Sequence, residues 1–311
     1  MTSADRPILV TGGAGFIGSH VVDRLLADGR PVVVVDNLST GSAANLPSAA
    51  ACEAFDLAAE AAAERIAGLR PRAIIHCAAQ TSVSASVREP VADARANILG
   101  SLNAITGALA GGCDRFVYVT TGGAIYGEEA GRPHSEADVA APKSPYGLSK
   151  WTVEEYLRIL AGDRLAWSAL RLANVYGPRQ RSDGEGGVVS IFGERMLHDE
   201  PVHIHGDGQQ TRDFVFVADV VEAIVLALDA GGGPVNIGTG QATTVNELFT
   251  TMAALAGYRR PPVHGEPRPG DLVHSRLDPS RAAAVLGWRP AVDLESGLRR
   301  TLASIAAAPG R

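Results

Sequence analysis

The chain is poor in cysteine. Cys52, Cys77 and Cys113 are the three among 311 residues, and no two stand as a Cys-x-x-Cys pair. That excludes a zinc ribbon or a disulfide scaffold and fits a reducing, cytoplasmic setting. Positive charge is scarce as well. With 28 Lys and Arg against 34 Asp and Glu, the net charge is −6. Nothing gathers cations into a patch for nucleic acid or a membrane surface. No apolar run approaches the ~18 residues of a membrane span, and Met1-Thr2-Ser3-Ala4-Asp5-Arg6 lacks a signal-peptide profile. Internal repeats and low-complexity linkers are missing too. What is present, 46% hydrophobic and 20% charged residues, is the balance of a soluble globular protein with a large core and one or two domains.

The first chemistry-bearing unit lies near the N-terminus. The apolar strand Ile8-Leu9-Val10-Thr11 runs into Gly12-Gly13-Ala14-Gly15-Phe16-Ile17-Gly18, and an amphipathic helix follows through Val21, Val22, Leu25 and Leu26. Arg30-Pro31 breaks the chain before a second strand, Val32 to Val35, which ends in Asp36, 18 positions past Gly18. The whole unit predicts a dinucleotide crevice. Gly12 and Gly15 let the backbone approach a pyrophosphate, the helix N-terminus at Phe16 and Ile17 meets its charge, and Gly18 allows close helix–strand packing. Asp36 is expected to accept hydrogen bonds from the adenosine ribose. A carboxylate there repels a 2′-phosphate, which favours NAD over NADP. Asn37-Leu38-Ser39-Thr40-Gly41 continues as a polar turn at the adenosine end. Asp56-Leu57 is placed near the adenine, with a simple helix cap or surface acid as the alternative for Asp56.

Strand and helix patterns then alternate. A helix is expected from Glu60 to Leu69 and a buried strand from Ala73 to Cys77, with His76 and Cys77 as packing residues. The loop Ala78-Ala79-Gln80-Thr81-Ser82-Val83 falls at the carboxyl edge of a parallel sheet, where ligands sit. A helix from Asn97 to Leu109 precedes the strand Arg115 to Val119 and the hydroxyl-bearing loop Thr120-Thr121-Gly122-Gly123-Ala124-Ile125-Tyr126-Gly127. Trp167 to Leu172 reads as a sixth strand, after which the strict alternation stops. Further strands are expected at 201–205 and 211–217, and helices at 188–197, 218–228, 245–256 and 278–286. The pattern predicts an α/β, Rossmann-type doubly wound parallel sheet over 1–173, with return segments near 213–240. A smaller mixed domain covers 174–311.

Between the fifth and sixth strands stands Ser144-Pro145-Tyr146-Gly147-Leu148-Ser149-Lys150-Trp151. At i, i+4 the Tyr146 phenol and the Lys150 ammonium leave one face of a helix, a turn apart. Tyrosine with its ordinary pKa of ~10 is a poor base at neutral pH. A neighbouring cation stabilises the phenolate and lowers that value, and a bound nicotinamide would add a second positive charge.

These pieces resemble the extended short-chain dehydrogenase/reductases. Within them the chain is most similar to the NAD-dependent UDP-sugar 4-epimerases related to UDP-glucose 4-epimerase. The resemblance runs from about Ile8 to Gly297. It includes Asn174-Val175-Tyr176-Gly177-Pro178-Arg179-Gln180, Gly206-Asp207-Gly208-Gln209-Gln210-Thr211-Arg212-Asp213 and Arg268-Pro269-Gly270-Asp271. It implies a resident NAD with Asp56, Leu57 and Asn97 among its neighbours, Tyr146 as acid/base, and Lys150 holding the nicotinamide ribose. It places Asn174 and Arg212 at the substrate diphosphate and Arg268 and Asp271 at the uridine. His205 occupies a place where an aromatic ring commonly packs on uracil, with His203 on the same strand. Thr81, Gly122, Gly123, Val188 and Val189 complete the expected substrate wall. A homodimer through the helices near 97–109 and 146–160 is implied as well.

The chain departs from the family pattern at the usual Ser/Thr partner of the tyrosine, which is here Gly122. Thr121, with Thr120 or a water as the alternatives, is expected to serve the sugar C4 oxygen. The implied reaction inverts C4 of a UDP-hexose through a 4-keto sugar. Arg181, read as facing the sugar, turns the expectation towards UDP-glucuronate and UDP-galacturonate, with UDP-glucose and UDP-galactose as the alternative. A nucleotide-sugar dehydratase or a decarboxylase is disfavoured because Gly122-Gly123 stands where their loop acids belong. A silent NAD-binding sensor is disfavoured by the retained Tyr146 and Lys150.

Overall fold

The run Ile8–Thr11 forms strand β1 and is buried at every position, as befits a central strand covered on both faces. The computed structural model describes residues 6–129, 131–182, 186–268 and 271–307. Helix α1 (Phe16–Ala27), β2 (Val32–Asp36), β3 (Ala51–Ala54), α2 (Ala62–Leu69) and β4 (Ala73–His76) follow. Two short helices, α3 (Val83–Arg88) and α4 (Pro90–Ala94), lead through a π-helical turn at Arg95–Leu99 into α5 (Gly100–Ala110). Then come β5 (Arg115–Thr121), the single turn α6 (Gly122–Ile125), α7 (Pro145–Leu160) and β6 (Ala166–Leu172). Beyond them lie β7 (Asn174–Tyr176), α8 (Val188–Leu197), β8 (His203–His205), β9 (Thr211–Arg212), β10 (Phe214–Phe216) and α9 (Val217–Leu226). The chain ends with β11 (Gly233–Ile237), β12 (Thr243–Thr244), α10 (Val245–Ala256), β13 (Val263–Gly265), β14 (His274–Ser275), α11 (Ser280–Leu286) and α12 (Leu294–Ala307).

Seven strands form one parallel sheet in the order β11-β6-β5-β4-β1-β2-β3. Ile8 stands opposite Val32 of β2 on one side and Ala73 of β4 on the other. The strand order reverses between β1 and β4, so the connections leave in opposite directions and open a crevice at the carboxyl ends of the two strands. Side-chain alternation divides the core. Ile8, Val10, Val34, Ile75 and Val117 pack in the layer that holds α1 and α9, and Leu9, Ile74, Phe116 and Tyr118 in the layer under α2, α5 and α7. The expected doubly wound sheet is the one the chain adopts.

Three smaller sheets stand beside it among the described residues: β10-β7, β12-β9-β14 and β13-β8. Phe192, Met196, Leu248, Met252, Leu298 and Leu302 bind α8, α10 and α12 together, continuous with the α1 layer. No helix among the described residues is long and apolar enough to cross a membrane.

Four local expectations need correction. Ser82 caps α3 by accepting from Ala85 N at 2.8 Å, so helix begins directly after the loop at 78–82, where no helix was expected. The helix expected from Asn97 starts earlier and is wound as a π turn through Leu99. The strand expected over 211–217 breaks at Asp213, and its two halves join different sheets. The buried Asp213 carboxylate takes Thr239 N and Oγ1 at 2.8 and 2.6 Å and Gly240 N at 3.0 Å, which holds the crossing point. Helix α12 was not anticipated either. Its Leu298 and Leu302 stripe is buried at i, i+4 while Glu295 and Arg299 pair outside at 2.9 Å.

Candidate active site

The Gly-rich turn closes tightly because it carries no side chains where its strands meet. A Cβ on Gly12, whose φ is +66°, would press on Ala78 N at 2.6 Å, and one on Gly18 would collide with the Gly12 carbonyl. Helix α1 opens at Gly15 with no side-chain cap and no acidic residue in its first turn. The backbone N–H groups at Phe16 and Ile17 thus face the crevice without a competing anion. Asp36 accepts from Ala14 N at 2.9 Å and Leu38 N at 2.8 Å. It ties the turn to the next loop, and the carboxylate keeps lone pairs for ribose hydroxyls. Asn37 Oδ1 holds Ser39 through N and Oγ at 3.0 and 2.7 Å, and a Cβ on Gly41 would lie 3.0 Å from Asp36 Oδ2. These residues fit a dinucleotide. Asp56 caps its own turn through Ala58 N at 2.9 Å, and Leu57 is buried next to Gly100.

The loop after β4 is held from below. Asn97, buried, accepts from Gln80 N at 2.9 Å and donates to Gln80 O at 2.9 Å. A chain of buried hydrogen bonds continues from it: Ser101 Oγ donates to Asn97 O at 2.5 Å, His76 Nε2 meets Ser101 Oγ at 2.9 Å, and Thr11 Oγ1 meets His76 Nδ1 at 2.7 Å. Burial pushes His76 down to about 3, which keeps it a neutral link. Burial also pushes the Cys77 thiol up to about 12, so neither is a nucleophile or a proton carrier at neutral pH. Thr81 is exposed at the rim.

Ser144 caps α7 by accepting from Gly147 N at 3.1 Å, with Pro145 in the first turn. Tyr146 N donates to Ser86 Oγ at 3.1 Å, which fixes the helix start against α3. Lys150 is 3% exposed and donates to Val119 O at 3.1 Å, its ammonium 4.8 Å from the Tyr118 ring centroid. Burial pushes Lys150 down to about 8, against the pull of Cys77, Asp93 and Glu154. The phenol behaves differently from expectation. Burial first, and then the Asp93 carboxylate, hold Tyr146 above the ordinary tyrosine value; only the Thr121 hydroxyl, hydrogen-bonded to it, works the other way. The lysine does not lower the phenol in the protein by itself.

The two threonines part company because strand side chains alternate. Thr121 meets Tyr146, whereas Thr120 is buried against Tyr118 and Glu154. Gly122 is a packing position: a Cβ there would drive into Leu277 Cδ1 at 2.6 Å. Gly123 is in ordinary contact with its surroundings: Ser275 Oγ, Thr121 Oγ1 and Asn174 Oδ1 lie 3.7, 3.9 and 4.0 Å from where its Cβ would be. Two hydroxyls and an amide therefore gather around Gly123, and of these Thr121 meets the phenol.

The remaining expected substrate residues spread along the second half of the chain. Arg212 is half-buried, donates to Thr211 O at 2.8 Å and feels the charges of Asp271 and Glu128. Arg268 and Asp271 are exposed, with Asp271 N donating to Arg268 O at 3.3 Å. Pro269 and Gly270 of that motif lie outside the described residues. His203 and His205 are exposed on β8, and Val188 and Val189 open α8, Val189 facing the core. Arg181 is not beside Gly122 and Gly123. Its Nη1 donates to Thr40 O at 3.0 Å, in the turn after β2, and neighbouring Arg179 contacts Ser19 at 3.2 Å and Asp23 at 2.7 Å on α1. Asp93, Ser149 and Ser275 were missed in the sequence. The spacing Asp93-x-x-x-Asn97 was the available signal for the first of them.

A dinucleotide crevice that closes on a Tyr-x-x-x-Lys pair defines an extended short-chain dehydrogenase/reductase. Residues 8–238 match the model of the NAD dependent epimerase/dehydratase family. The chain is 45% identical over 302 residues to the UDP-glucose 4-epimerase of Mycolicibacterium smegmatis, covering 94% of this chain and 96% of that one. Its fold is similar to the UDP-glucose 4-epimerase of Thermotoga maritima solved with UDP-glucose (TM-score 0.95, 49% identity, 96% and 98% of the two chains). It is also similar to the Thermus thermophilus UDP-glucose 4-epimerase in complex with NAD (TM-score 0.93, 43% identity, 97% and 100%). The chain belongs to the NAD-dependent epimerase/dehydratase family. The expected family, the isomerase class and NAD as cofactor are borne out.

Proposed function

We propose that this NAD-dependent UDP-sugar 4-epimerase interconverts UDP-glucose and UDP-galactose, with residues 1–173 and the return segments near 213–240 forming the NAD domain and the rest of 174–311 holding the UDP-sugar. The observation that carries the choice of sugar is the position of Arg181. The uronate expectation needed that guanidinium at the sugar, and it is engaged with Thr40. The groups that do stand there are neutral: Thr121, which meets Tyr146, and Ser275, both beside Gly123. They suit hydroxyls better than a carboxylate, which a neutral pocket would have to desolvate without a counter-charge. The relatives at 45% and 49% identity, named UDP-glucose 4-epimerases, agree.

In this reading NAD, when bound, accepts a hydride from C4 and returns it. Tyr146 takes the C4 hydroxyl proton and gives it back after the 4-keto sugar has turned over. Thr121 hydrogen-bonds the phenol and the C4 oxygen, as a hydroxyl can donate and accept at once. Lys150 holds the nicotinamide ribose from its buried place under Val119. Asn174 and Arg212 anchor the diphosphate, where a guanidinium offers two parallel hydrogen bonds. Arg268, Asp271 and His205 are assigned to the uridine. Anchoring there lets the sugar rotate while binding energy remote from C4 keeps it in the site.

The protein is taken to be a cytoplasmic homodimer. Val87, Val91, Leu99, Leu148 and Ile159 are exposed on α3, α4, α7 and the π turn, an apolar face that a second copy would cover. The three free cysteines suit a reducing compartment. The deciding experiment compares kcat/KM of the purified holoenzyme for UDP-glucose and UDP-glucuronate. Preference for UDP-glucose by tenfold or more is the expected result (about 1.4 kcal/mol); equal rates or preference for the uronate would reject the assignment.

A further inference from the structure

Asp93 is 1% exposed, in the last turn of α4, and three neutral side chains from three different segments donate to it. Gln80 Nε2 and Asn97 Nδ2 reach Oδ1 at 2.9 Å each, and Ser149 Oγ reaches Oδ2 at 2.5 Å. Gln80 belongs to the loop at the cofactor edge, and Ser149 sits on α7 between Tyr146 and Lys150. Through Asn97, Ser101 and His76 the same chain of hydrogen bonds reaches Thr11 at the end of β1. A buried carboxylate is costly. An amide could keep these contacts without that cost, with Ser149 turned from donor to acceptor, so the charge itself calls for an explanation.

We propose that Asp93 is a positioning residue for Tyr146 and Lys150: it ties the helix that carries them to the cofactor-side loop through its two oxygens and sets a buried negative charge beside the phenol. The groups around that phenol are few. Lys150 lies one turn along α7, Thr121 and Tyr118 come from β5 and Asp93 from α4, while Ser86 on α3 holds the Tyr146 backbone N–H. Behind Lys150 stand His76 at the end of β4, Cys77 just after it and Glu154 from α7. His76, Cys77 and Tyr118 stay neutral at pH 7, and Glu154 is paired with Arg171 at 2.6 Å. Asp93 thus opposes ionisation of Tyr146 from the far side of the helix tie.

The inference rests on Tyr146 being the acid/base of the proposed reaction. Its test uses the NAD holoenzyme labelled with 13C at tyrosine Cζ. The Tyr146 resonance, one of six tyrosines, is identified by its absence from Tyr146→Phe. Asp93→Asn keeps the shape and can keep all three hydrogen bonds, with Ser149 turning from donor to acceptor, but removes the charge. The expected result is a Tyr146 titration midpoint about one pH unit lower, and an acid limb of the kcat profile displaced downwards by about the same amount. Ser149→Ala cuts the tie and leaves the charge. It is expected to lower kcat about tenfold through misplaced helix geometry, with no downward movement of the midpoint, and it tests the tie independently should the first variant not fold. An unmoved midpoint in Asp93→Asn, or a kcat lowered equally at every pH, would overturn the role of the charge. An unchanged kcat in Ser149→Ala would overturn the tie. The titration needs no sugar, so full activity in Tyr146→Phe would instead sink the functional reading and leave this measurement to stand separately.

Discussion

Gly122→Ser puts a hydroxyl where related enzymes often carry one, and the structure predicts that it harms this protein. The new Cβ would sit 2.6 and 2.7 Å from the two Leu277 methyls and 3.2 Å from its Cγ, against ordinary carbon contacts of ~3.5–4.0 Å. Leu277 would have to move by about 1 Å, but it is 1% exposed and its backbone bridges to His134. Overpacking of that kind costs roughly 1–3 kcal/mol. At ~1.5 °C per kcal/mol for a chain of 311 residues, Tm should fall by roughly 2–5 °C, read by calorimetry at one fixed NAD concentration because bound cofactor stabilises the native state. Leu277→Ala should cost less in the Gly122→Ser protein than in the parent, since the two sites share one clash and their effects cannot add. Catalysis should not gain. Thr121→Ala is expected to lower kcat by ~100-fold or more, the range for losing one positioned donor, and Gly122→Ser should fail to restore it. A fully stable Gly122→Ser protein that rescues Thr121→Ala would refute the packing argument and the choice of Thr121 together.

Other outcomes follow from buried charge. Lys150→Met, in protein freed of NAD, should be more stable than the parent at pH 7. Lys150 has its pKa pushed from 10.5 to about 8 by burial, so above pH 8 the unfolded chain binds a proton that the folded one does not. Stability of the parent relative to Lys150→Met should therefore rise by about 3 kcal/mol from pH 8 to 10.5 and be lost again on the way down; a flat difference in urea midpoints would contradict this. Arg171→Met leaves Glu154, with its side chain 2% exposed, as an unpaired buried carboxylate and should cost roughly 3–5 kcal/mol in urea unfolding. Asp36→Ala removes the acceptor of Ala14 N and Leu38 N. Calorimetric titration should show NAD affinity falling at least tenfold, and unchanged affinity would remove Asp36 from the cofactor site.

The nucleotide half of the site was legible because its signals are local. Strand, glycine turn, helix and acid fall within 29 residues of Ile8–Asp36, and each residue type answers one backbone requirement. Tyr146 and Lys150 were legible for the same reason, as i, i+4 on one helix. The parts that were not legible depend on long-range contacts. Asp93 acquires meaning only when Ser149, 56 positions later, meets it. Arg181 carries a charge that suits a sugar acid, but its guanidinium bonds Thr40, 141 positions earlier. Gly122 looked like a missing hydroxyl and is the space that Leu277 fills. The break at Asp213 was invisible because Phe214-Val215-Phe216 continues the same apolar pattern in another sheet.

The central claim is that one phenol moves the proton while the C4 hydrogen leaves and returns within the same closed site. Conversion of UDP-[4-2H]glucose in ordinary water by the purified holoenzyme tests it directly, read by NMR of the UDP-galactose formed. The account predicts that deuterium stays at C4 of the product and that Tyr146→Phe forms almost none of it. Exchange of the label with solvent, or undiminished turnover in Tyr146→Phe, would contradict it.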